Sequence, residues 1–170
     1  LVMETAAKGL REFMEGKPLS VKIYEMEKPD VPLWCVWAIQ QYAKEAGKER
    51  CRKLYMGLIR DIVDYLLASK HPNLTLDTNG LLYADAKGEA ITWMNSMNNG
   101  QPVVPRSGYI VEFNALWYNA LRFTAAMEME SGNEERANEL DALAEKCKAS
   151  FVETFLNEYG YLYDYVDGRM

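Results

Sequence analysis

The sequence predicts an all-α fold made of antiparallel helical hairpins, and three observations predict it. Apolar residues recur at helical spacing through most of the 170 residues. Short polar connections separate successive helices. Segments that are apolar nearly all the way round alternate with amphipathic ones. Repeated hairpins of this kind describe a double-layered ring, in which the buried helices run parallel to one another on the inside.

The first predicted hairpin follows a helix around residues 2–14 and an extended segment at residues 19–26. Its first helix, residues 32–46, is apolar on most sides and is therefore predicted to be buried. Its second helix runs from about residue 49 to residue 68 and is amphipathic. One face of this helix carries Cys51, Leu54, Leu58, Ile62 and Leu66. Gly47 makes the short turn between the two helices.

The second predicted hairpin repeats this pattern. Residues 110–129 form a helix that is apolar on most sides, so we expect it to be buried. Residues 134–157 form an amphipathic helix, and residues 131–133 supply the short turn that makes the pair antiparallel. The apolar face of the amphipathic helix carries Leu140, Ala144, Cys147, Phe151 and Phe155.

The connection between the hairpins, residues 71–108, is a candidate for a functional segment. It holds many large apolar residues, which argues against disorder, and connections of this length are uncommon unless they are functional. It leads into the second buried helix, whose first turn contains Glu112, while Asp30 precedes the first buried helix. Because parallel inner helices begin on the same side of a ring, these polar residues are predicted to share one face.

Each candidate residue has a structural alternative. Trp93 and Trp117 could be platforms for sugar rings or ordinary core aromatics. Glu112 could act as an acid, a base or a ligand for hydroxyl groups, or could simply complement the helix dipole. Asp30 could contact a ligand or cap its helix. At residues 77–80 the sequence hints at a calcium loop, but Leu82 stands where such a loop needs glycine, which favours a plain turn.

Composition and charge exclude several kinds of partner. A net charge of −6 and a pI near 4.9 leave no basic face for nucleic acid or anionic lipid. No apolar run approaches the ~20 residues that cross a bilayer, and the first residues do not form a signal peptide. The cysteines lack metal-type spacing and His71 is the single histidine, so neither a metal nor another cofactor is predicted. A cytoplasmic location and a neutral, hydroxyl-rich ligand fit these properties.

Three runs of sequence carry a family resemblance. They are T-W-M-N at residues 92–95, P-V-V-P-R-S-G at residues 102–108 and V-E-F-N-A-L-W-Y-N-A-L at residues 111–121. They resemble the signature of the glycogen debranching enzyme glucosidase domain, which typically shows T-W-M-D, T-P-R-x-G and V-E-I-N-A-L-W-Y-N-A-L in this order. Residues 30–34 also resemble its D-A-P-L-W segment, and residues 77–82 resemble a further segment that ends in aspartate-glycine-leucine.

The resemblance implies a partial (α/α)6 toroid that hydrolyses α-1,6-linked glucose at branch points of glycogen or a starch-like glucan. The catalytic positions it implies are Asn95 and Glu112. The substrate-binding positions are Asp30, Trp34, Asp77, Trp93, Arg106, Asn114 and Trp117. Asn95 departs from the family, since the aspartate of T-W-M-D is its plausible general acid and an amide cannot donate a proton on demand. Another acid such as Glu112, an inactive copy or an altered sequence would each explain this departure.

We expect residues 1–170 to form a single domain that is an incomplete piece of the toroid, with about five of its helices. A second catalytic carboxylate is expected beyond Met170, so the chain alone should be inactive and should self-associate through uncovered apolar surface. The alternatives are a non-catalytic carbohydrate-binding helical module and a helical-repeat scaffold that binds protein.

Overall fold

The computed structural model describes residues 28–168. Its helices are α1 (Asp30–Ala46), α2 (Lys48–Leu67), α3 (Val111–Glu130) and α4 (Glu134–Phe155). Its strands are β1 (Leu74–Leu76), β2 (Leu82–Ala84), β3 (Met97–Asn98), β4 (Gln101–Pro102), β5 (Gly108–Ile110) and β6 (Tyr165–Val166). The helix predicted at residues 2–14 and the extended segment predicted at residues 19–26 lie outside the described residues.

Both predicted hairpins are confirmed, and each predicted helix end lies within two residues of the observed one. In the first hairpin, the rings of Tyr42 and Tyr55 meet edge to face with centroids 5.4 Å apart on either side of Gly47. In the second hairpin, Arg122 on α3 forms an ion pair with Asp141 on α4 at 3.0 Å. Helices joined by one to three residues must turn back on each other to bury their apolar faces, which is why both pairs are antiparallel.

The first helices of the two hairpins run parallel, as predicted. At their amino-terminal ends, Asp30 on α1 lies within electrostatic range of Glu112 on α3. At the opposite ends, Lys48, two residues after the end of α1, forms a 2.5 Å ion pair with Glu130, the last residue of α3. One contact joins the two beginnings and the other joins the two ends, which is possible only if α1 and α3 run in the same direction. Both helices therefore begin on the same side of the molecule.

Both first helices were predicted to be buried on most sides, and this holds for α3 but not for α1. Helix α3 is buried on most sides, with more than half of its residues in the core, which confirms the expectation. Helix α1 is not, because Trp34 and Trp37 remain 45% and 42% exposed. The pattern alone could not show this, since an apolar residue is buried only where another element covers it. None of the described helices is long and apolar enough to span a membrane.

The fold is mostly helical rather than all-α, because the connection between the hairpins contains strands. An antiparallel sheet has the strand order β1-β2-β5-β6, and β3 pairs with β4 in a separate hairpin. The register pairs Tyr83 with Tyr109 and Ile110 with Tyr165. Leu82 and Ile110 are fully buried, so the sheet adds to the helical core. Short extended stretches of apolar residues pair because their backbone N–H and C=O groups need partners once buried.

Gly108 permits the close approach of the last strand. Its φ of +92° is a conformation that side chains disfavour, and a Cβ there would lie 2.3 Å from the carbonyl oxygen of Val166. Any other residue would push β6 away from β5. Glycine at this position therefore brings the end of the described chain against the beginning of α3.

Two hairpins with parallel first helices do not define a closed ring. The partial (α/α)6 toroid and the single incomplete domain over residues 1–170 therefore stay predictions, whereas a mostly helical fold with small sheets is observed.

Candidate functional site

A buried arginine binds two carboxylates at the beginning of α3. Nη1 of Arg106 donates to Glu112 Oε1 at 2.5 Å, and Nη2 donates to Glu112 Oε2 at 2.6 Å. Nη2 also donates to Asp164 Oδ1 at 2.8 Å and to the Asp164 carbonyl oxygen at 3.2 Å. The Arg106 side chain is only 1% exposed. We call this group the Arg106 clamp; it consists of Arg106, Glu112 and Asp164.

Three elements position the clamp. Arg106 ends the long connection two residues before β5, Glu112 is the second residue of α3, and Asp164 directly precedes β6. The backbone N–H of Val111 donates to the Asp164 carbonyl oxygen at 3.1 Å, which continues the pairing of β5 with β6. Charged groups so far apart in sequence meet because the sheet brings the last strand to the amino-terminal end of α3.

The charges of the clamp affect one another and Asp30. Burial lowers the pKa of Arg106, but its hydrogen bonds to Glu112 and the charges of Glu112 and Asp164 outweigh this effect and raise that pKa above its ordinary value. Burial also raises the pKa of Asp30, and the nearby Glu112 charge adds to the effect, while backbone amides and Lys28 oppose it. Asp30 therefore belongs to the electrostatic surroundings of the clamp, as the shared face predicted.

The T-W-M-N run is tied to the beginning of α1. Lys28 Nζ donates at 2.9 Å to the carbonyl oxygen of Ala90, two residues before this run. Within the run, Thr92 is buried and its Oγ1 accepts from the Met94 N–H at 3.2 Å. Trp93 is 69% exposed, and Asn95 is exposed as well. Both side chains are thus accessible to a ligand. A shared concavity with Glu112 stays a prediction.

Asp77 lies in the turn between β1 and β2, and a hydrogen bond joins its side chain to Tyr109 on β5. Tyr109 donates its hydroxyl to Asp77 Oδ2 at 2.8 Å, and the Thr78 N–H donates to Asp77 Oδ1 at 2.6 Å. The Gly80 N–H donates to the Asp77 carbonyl oxygen at 2.9 Å, which confirms the plain turn. These bonds hold the turn against β5. Substrate binding by Asp77 stays a prediction.

Three predicted substrate-binding residues are buried in the structure, so substrate binding by Asn114, Trp117 and Arg106 stays a prediction. Asn114 is fully buried; it accepts from the Leu82 N–H at 2.7 Å and donates to the Leu82 carbonyl oxygen at 3.0 Å. Trp117 is also fully buried and donates to the Gly80 carbonyl oxygen at 3.2 Å. Arg106 uses its terminal nitrogens within the clamp. The signature residues Asn114 and Trp117 therefore fasten α3 to the β1–β2 hairpin.

Sequence reasoning missed Asp164 and Tyr109. Asp164 lies in a region where the family resemblance is thin, and nothing local marks it as a partner of Arg106. A signal did exist, because an arginine between apolar residues and glycine at a sheet edge needs carboxylates once it is buried. The sequence shows that a buried Arg106 needs a carboxylate partner, but it does not show which acidic residue of the chain is that partner.

The accessible groups suit a neutral, hydroxyl-rich ligand. Carboxylate oxygens accept hydrogen bonds from hydroxyl groups, and an exposed indole such as that of Trp93 offers an apolar face for a sugar ring. Within residues 28–168, no three histidine, cysteine or acidic side chains gather closely enough to hold a metal ion.

Comparison with known proteins gives one result that covers most of the chain. The family described as amylo-alpha-1,6-glucosidase matches residues 22–170, which include all three signature runs and the clamp. No curated protein and no solved structure gives a significant match.

Proposed function

The chain belongs to the amylo-alpha-1,6-glucosidase family, a glycosidase family, and on that premise we propose that it contributes the α-glucan site of a debranching glycosidase. The substrate we propose is the α-1,6-linked glucose left at a branch point of glycogen or a starch-like glucan. The clamp carries the proposal, because Arg106 holds both oxygens of the signature glutamate Glu112 and so fixes the orientation of that side chain.

Glu112 has an acceptor role in this proposal. Both of its oxygens accept hydrogen bonds from Arg106, and its side chain is still 23% exposed. An ionised carboxylate has about four acceptor positions, so lone pairs remain for substrate hydroxyl groups. Glu112 therefore binds sugar hydroxyls or orients a water, and it is not the proton donor.

Asn95 occupies the position that the resemblance gives to the general acid. An amide can bind a glycosidic oxygen through its N–H groups but cannot protonate it. Inverting glycosidases also need a second carboxyl group about 6.5–9.5 Å away across the scissile bond. We therefore propose that this chain binds and orients the glucan and, with an amide at position 95, releases glucose only weakly by itself. Trp93 supplies the stacking face, while Asp30 and Trp34 border the site at the beginning of α1.

A second candidate function is sugar binding without hydrolysis, and Asn95 is the observation that favours it. The two functions differ in the fate of the glycosidic bond and share the binding site. The same purified chain can therefore be tested for both, with limit dextrin as the probe and with glucose release and binding measured separately.

The test compares the wild-type chain with Asn95→Asp and Trp93→Ala. Hydrolysis predicts that Asn95→Asp raises glucose release at least tenfold, since it restores a group that can donate a proton. Asn98→Asp, which adds the same charge at an exposed position on β3, is the control and should change nothing. Trp93→Ala should weaken binding about tenfold through loss of stacking. Binding with no release from the wild type or from Asn95→Asp would support the second function. If the wild type does not bind limit dextrin, both proposals fail.

A further inference from the structure

We infer that Asp164 is a second substrate-contacting carboxylate of this site and that Arg106 is the positioning residue that couples it to Glu112. The inference rests on the proposed function and adds a residue from the end of the described chain to it. It also names what that residue recognises, which is a pair of neighbouring hydroxyl groups on a neutral sugar.

The position of Asp164 is fixed by its backbone. Its carbonyl oxygen accepts from the Val111 N–H at 3.1 Å and from Arg106 Nη2 at 3.2 Å. The next residue, Tyr165, is paired with Ile110 in the sheet. Asp164 thus adjoins the first turn of α3, which contains Glu112. A ligand contact built on such a support needs no ordering of a mobile segment, so little entropy opposes binding.

The three side chains of the clamp differ in solvent exposure, which increases from Arg106 to Glu112 to Asp164. The Arg106 side chain is 1% exposed, that of Glu112 is 23% exposed and that of Asp164 is 52% exposed. Asp164 Oδ1 is held by Arg106 at 2.8 Å, whereas Oδ2 has no hydrogen-bond partner in the described part of the chain. The clamp therefore presents one anchored carboxylate with an acceptor oxygen available to a ligand.

The charges around the clamp argue against a purely structural role for Asp164. One carboxylate neutralises one guanidinium, and Glu112 already does so with ideal bidentate geometry. A second carboxylate that is half exposed adds little stability, since solvent screens its attraction to Arg106. With Asp30 nearby, negative charge exceeds positive charge around the clamp. An arrangement that stability does not require is typical of a functional site.

The same excess of charge selects the ligand. Carboxylate or phosphate groups would be repelled, whereas hydroxyl groups donate to ionised oxygens in charge-assisted hydrogen bonds. Nη2 of Arg106 contacts both Glu112 and Asp164, so the two carboxylates adjoin each other. Adjacent acceptors match hydroxyl groups on neighbouring carbons of a pyranose ring. Replacement of Arg106 by lysine would keep the charge but lose the fork that holds both carboxylates.

The experiment measures binding of limit dextrin to the purified chain by calorimetry, with unfolding followed in parallel. Asp164→Asn should weaken binding at least tenfold with little change in the unfolding midpoint, because the charge-assisted bonds are lost. Glu158→Gln removes the same charge at an exposed position of the turn before β6 and should bind like wild type. In the Arg106→Lys background, Asp164→Asn should weaken binding less than threefold, since Arg106→Lys has already removed the fork that holds the Asp164 carboxylate in place.

The outcomes separate the inference from the proposed function. Wild-type binding with unchanged binding by Asp164→Asn would overturn the role of Asp164 and leave the proposed function standing. A full tenfold loss from Asp164→Asn in the Arg106→Lys background would overturn the positioning role of Arg106, since a merely structural arginine gives additive effects. No binding by the wild type would overturn the proposed function and this inference together.

Discussion

Arg106 and Glu112 form a bidentate ion pair across the junction between the long connection and α3, with N–O distances of 2.5 and 2.6 Å. The pair joins two separate signature runs, P-V-V-P-R-S-G and V-E-F-N-A-L-W-Y-N-A-L. Because Arg106 is buried, the pair fixes the direction in which Glu112 points. The predictions below test this junction and the elements that support it.

Removal of the buried guanidinium should strongly destabilise the fold. Arg106→Ala removes the buried hydrogen bonds to Glu112, which is only 23% exposed, and the loss of these charge-assisted bonds should cost about 2–3 kcal/mol. Arg122→Ala is the control, because its partner Asp141 and Arg122 itself are both 46% exposed and such pairs contribute at most about 1 kcal/mol. Urea unfolding measures both values. Equal losses in the two variants would show that the clamp does not stabilise the fold.

A side chain at position 108 should separate β6 from β5. Gly108→Ala places a Cβ 2.3 Å from the Val166 carbonyl oxygen, whereas Gly88→Ala, also at positive φ, meets no atom within 4 Å. Both variants carry the strain of positive φ, so the difference between them reports the clash, about 1–3 kcal/mol. Hydrogen exchange at the Val111 N–H, which donates to Asp164, should be faster in Gly108→Ala alone. Unchanged protection there would contradict the strand pairing.

Loss of the Asn114 amide should loosen the contact between α3 and β2. Asn114→Ala leaves the buried N–H and carbonyl groups of Leu82 without partners, which costs about 3 kcal/mol. Asn98→Ala, at an exposed position on β3, should stay within about 0.5 kcal/mol of wild type. Chemical denaturation gives both numbers. If Asn114→Ala unfolds like wild type but loses glucan binding, the structural role would be contradicted and the predicted substrate-binding role of Asn114 would be supported.

Asp30 should make stability depend on pH. Burial and the Glu112 charge raise its pKa in the folded chain above 3.8, so its contribution is fully present below pH 3.8 and is lost as pH rises through the raised value. Asp30→Asn cannot ionise and should therefore be more stable than wild type near pH 7, with the advantage vanishing in acid. Asp61→Asn, at an exposed position on α2, controls for net charge. The free energy of unfolding measured from pH 3 to pH 7 tests the sign. An advantage that grows in acid would contradict it.

Self-association, expected from the sequence, should involve the exposed face of α1. Trp34 and Trp37 form an edge-to-face pair with ring centroids 5.6 Å apart, and both remain more than 40% exposed. Exposed apolar surface of this kind favours association. Light scattering should give a mass above that of one chain, and Trp34→Ser with Trp37→Ser should lower it. A clean monomer of the wild-type chain would contradict this expectation.

The sequence determined the helices, the hairpins and the family. Helical spacing located the ends of α1 to α4 because one turn of helix imposes a local period on apolar residues. The antiparallel direction within each hairpin followed from two short turns. Residues 111–121 and the runs before them were enough to indicate the family, since a signature depends on the order of residues alone. None of these conclusions needed contacts between distant parts of the chain.

Only the tertiary structure decided which signature residues are buried and which are exposed. Trp93 and Trp117 are the same residue type in the same signature, yet one is 69% exposed and the other fully buried. Asp164 joined the site because β6 pairs with β5 beside Gly108, a long-range contact that no local pattern encodes. Burial and ion pairing depend on which surfaces meet, and that depends on the summed packing of the whole domain. A sequence pattern shows which functional groups are present, whereas the fold determines whether each group lies in the core, holds another residue in place or is exposed at the surface.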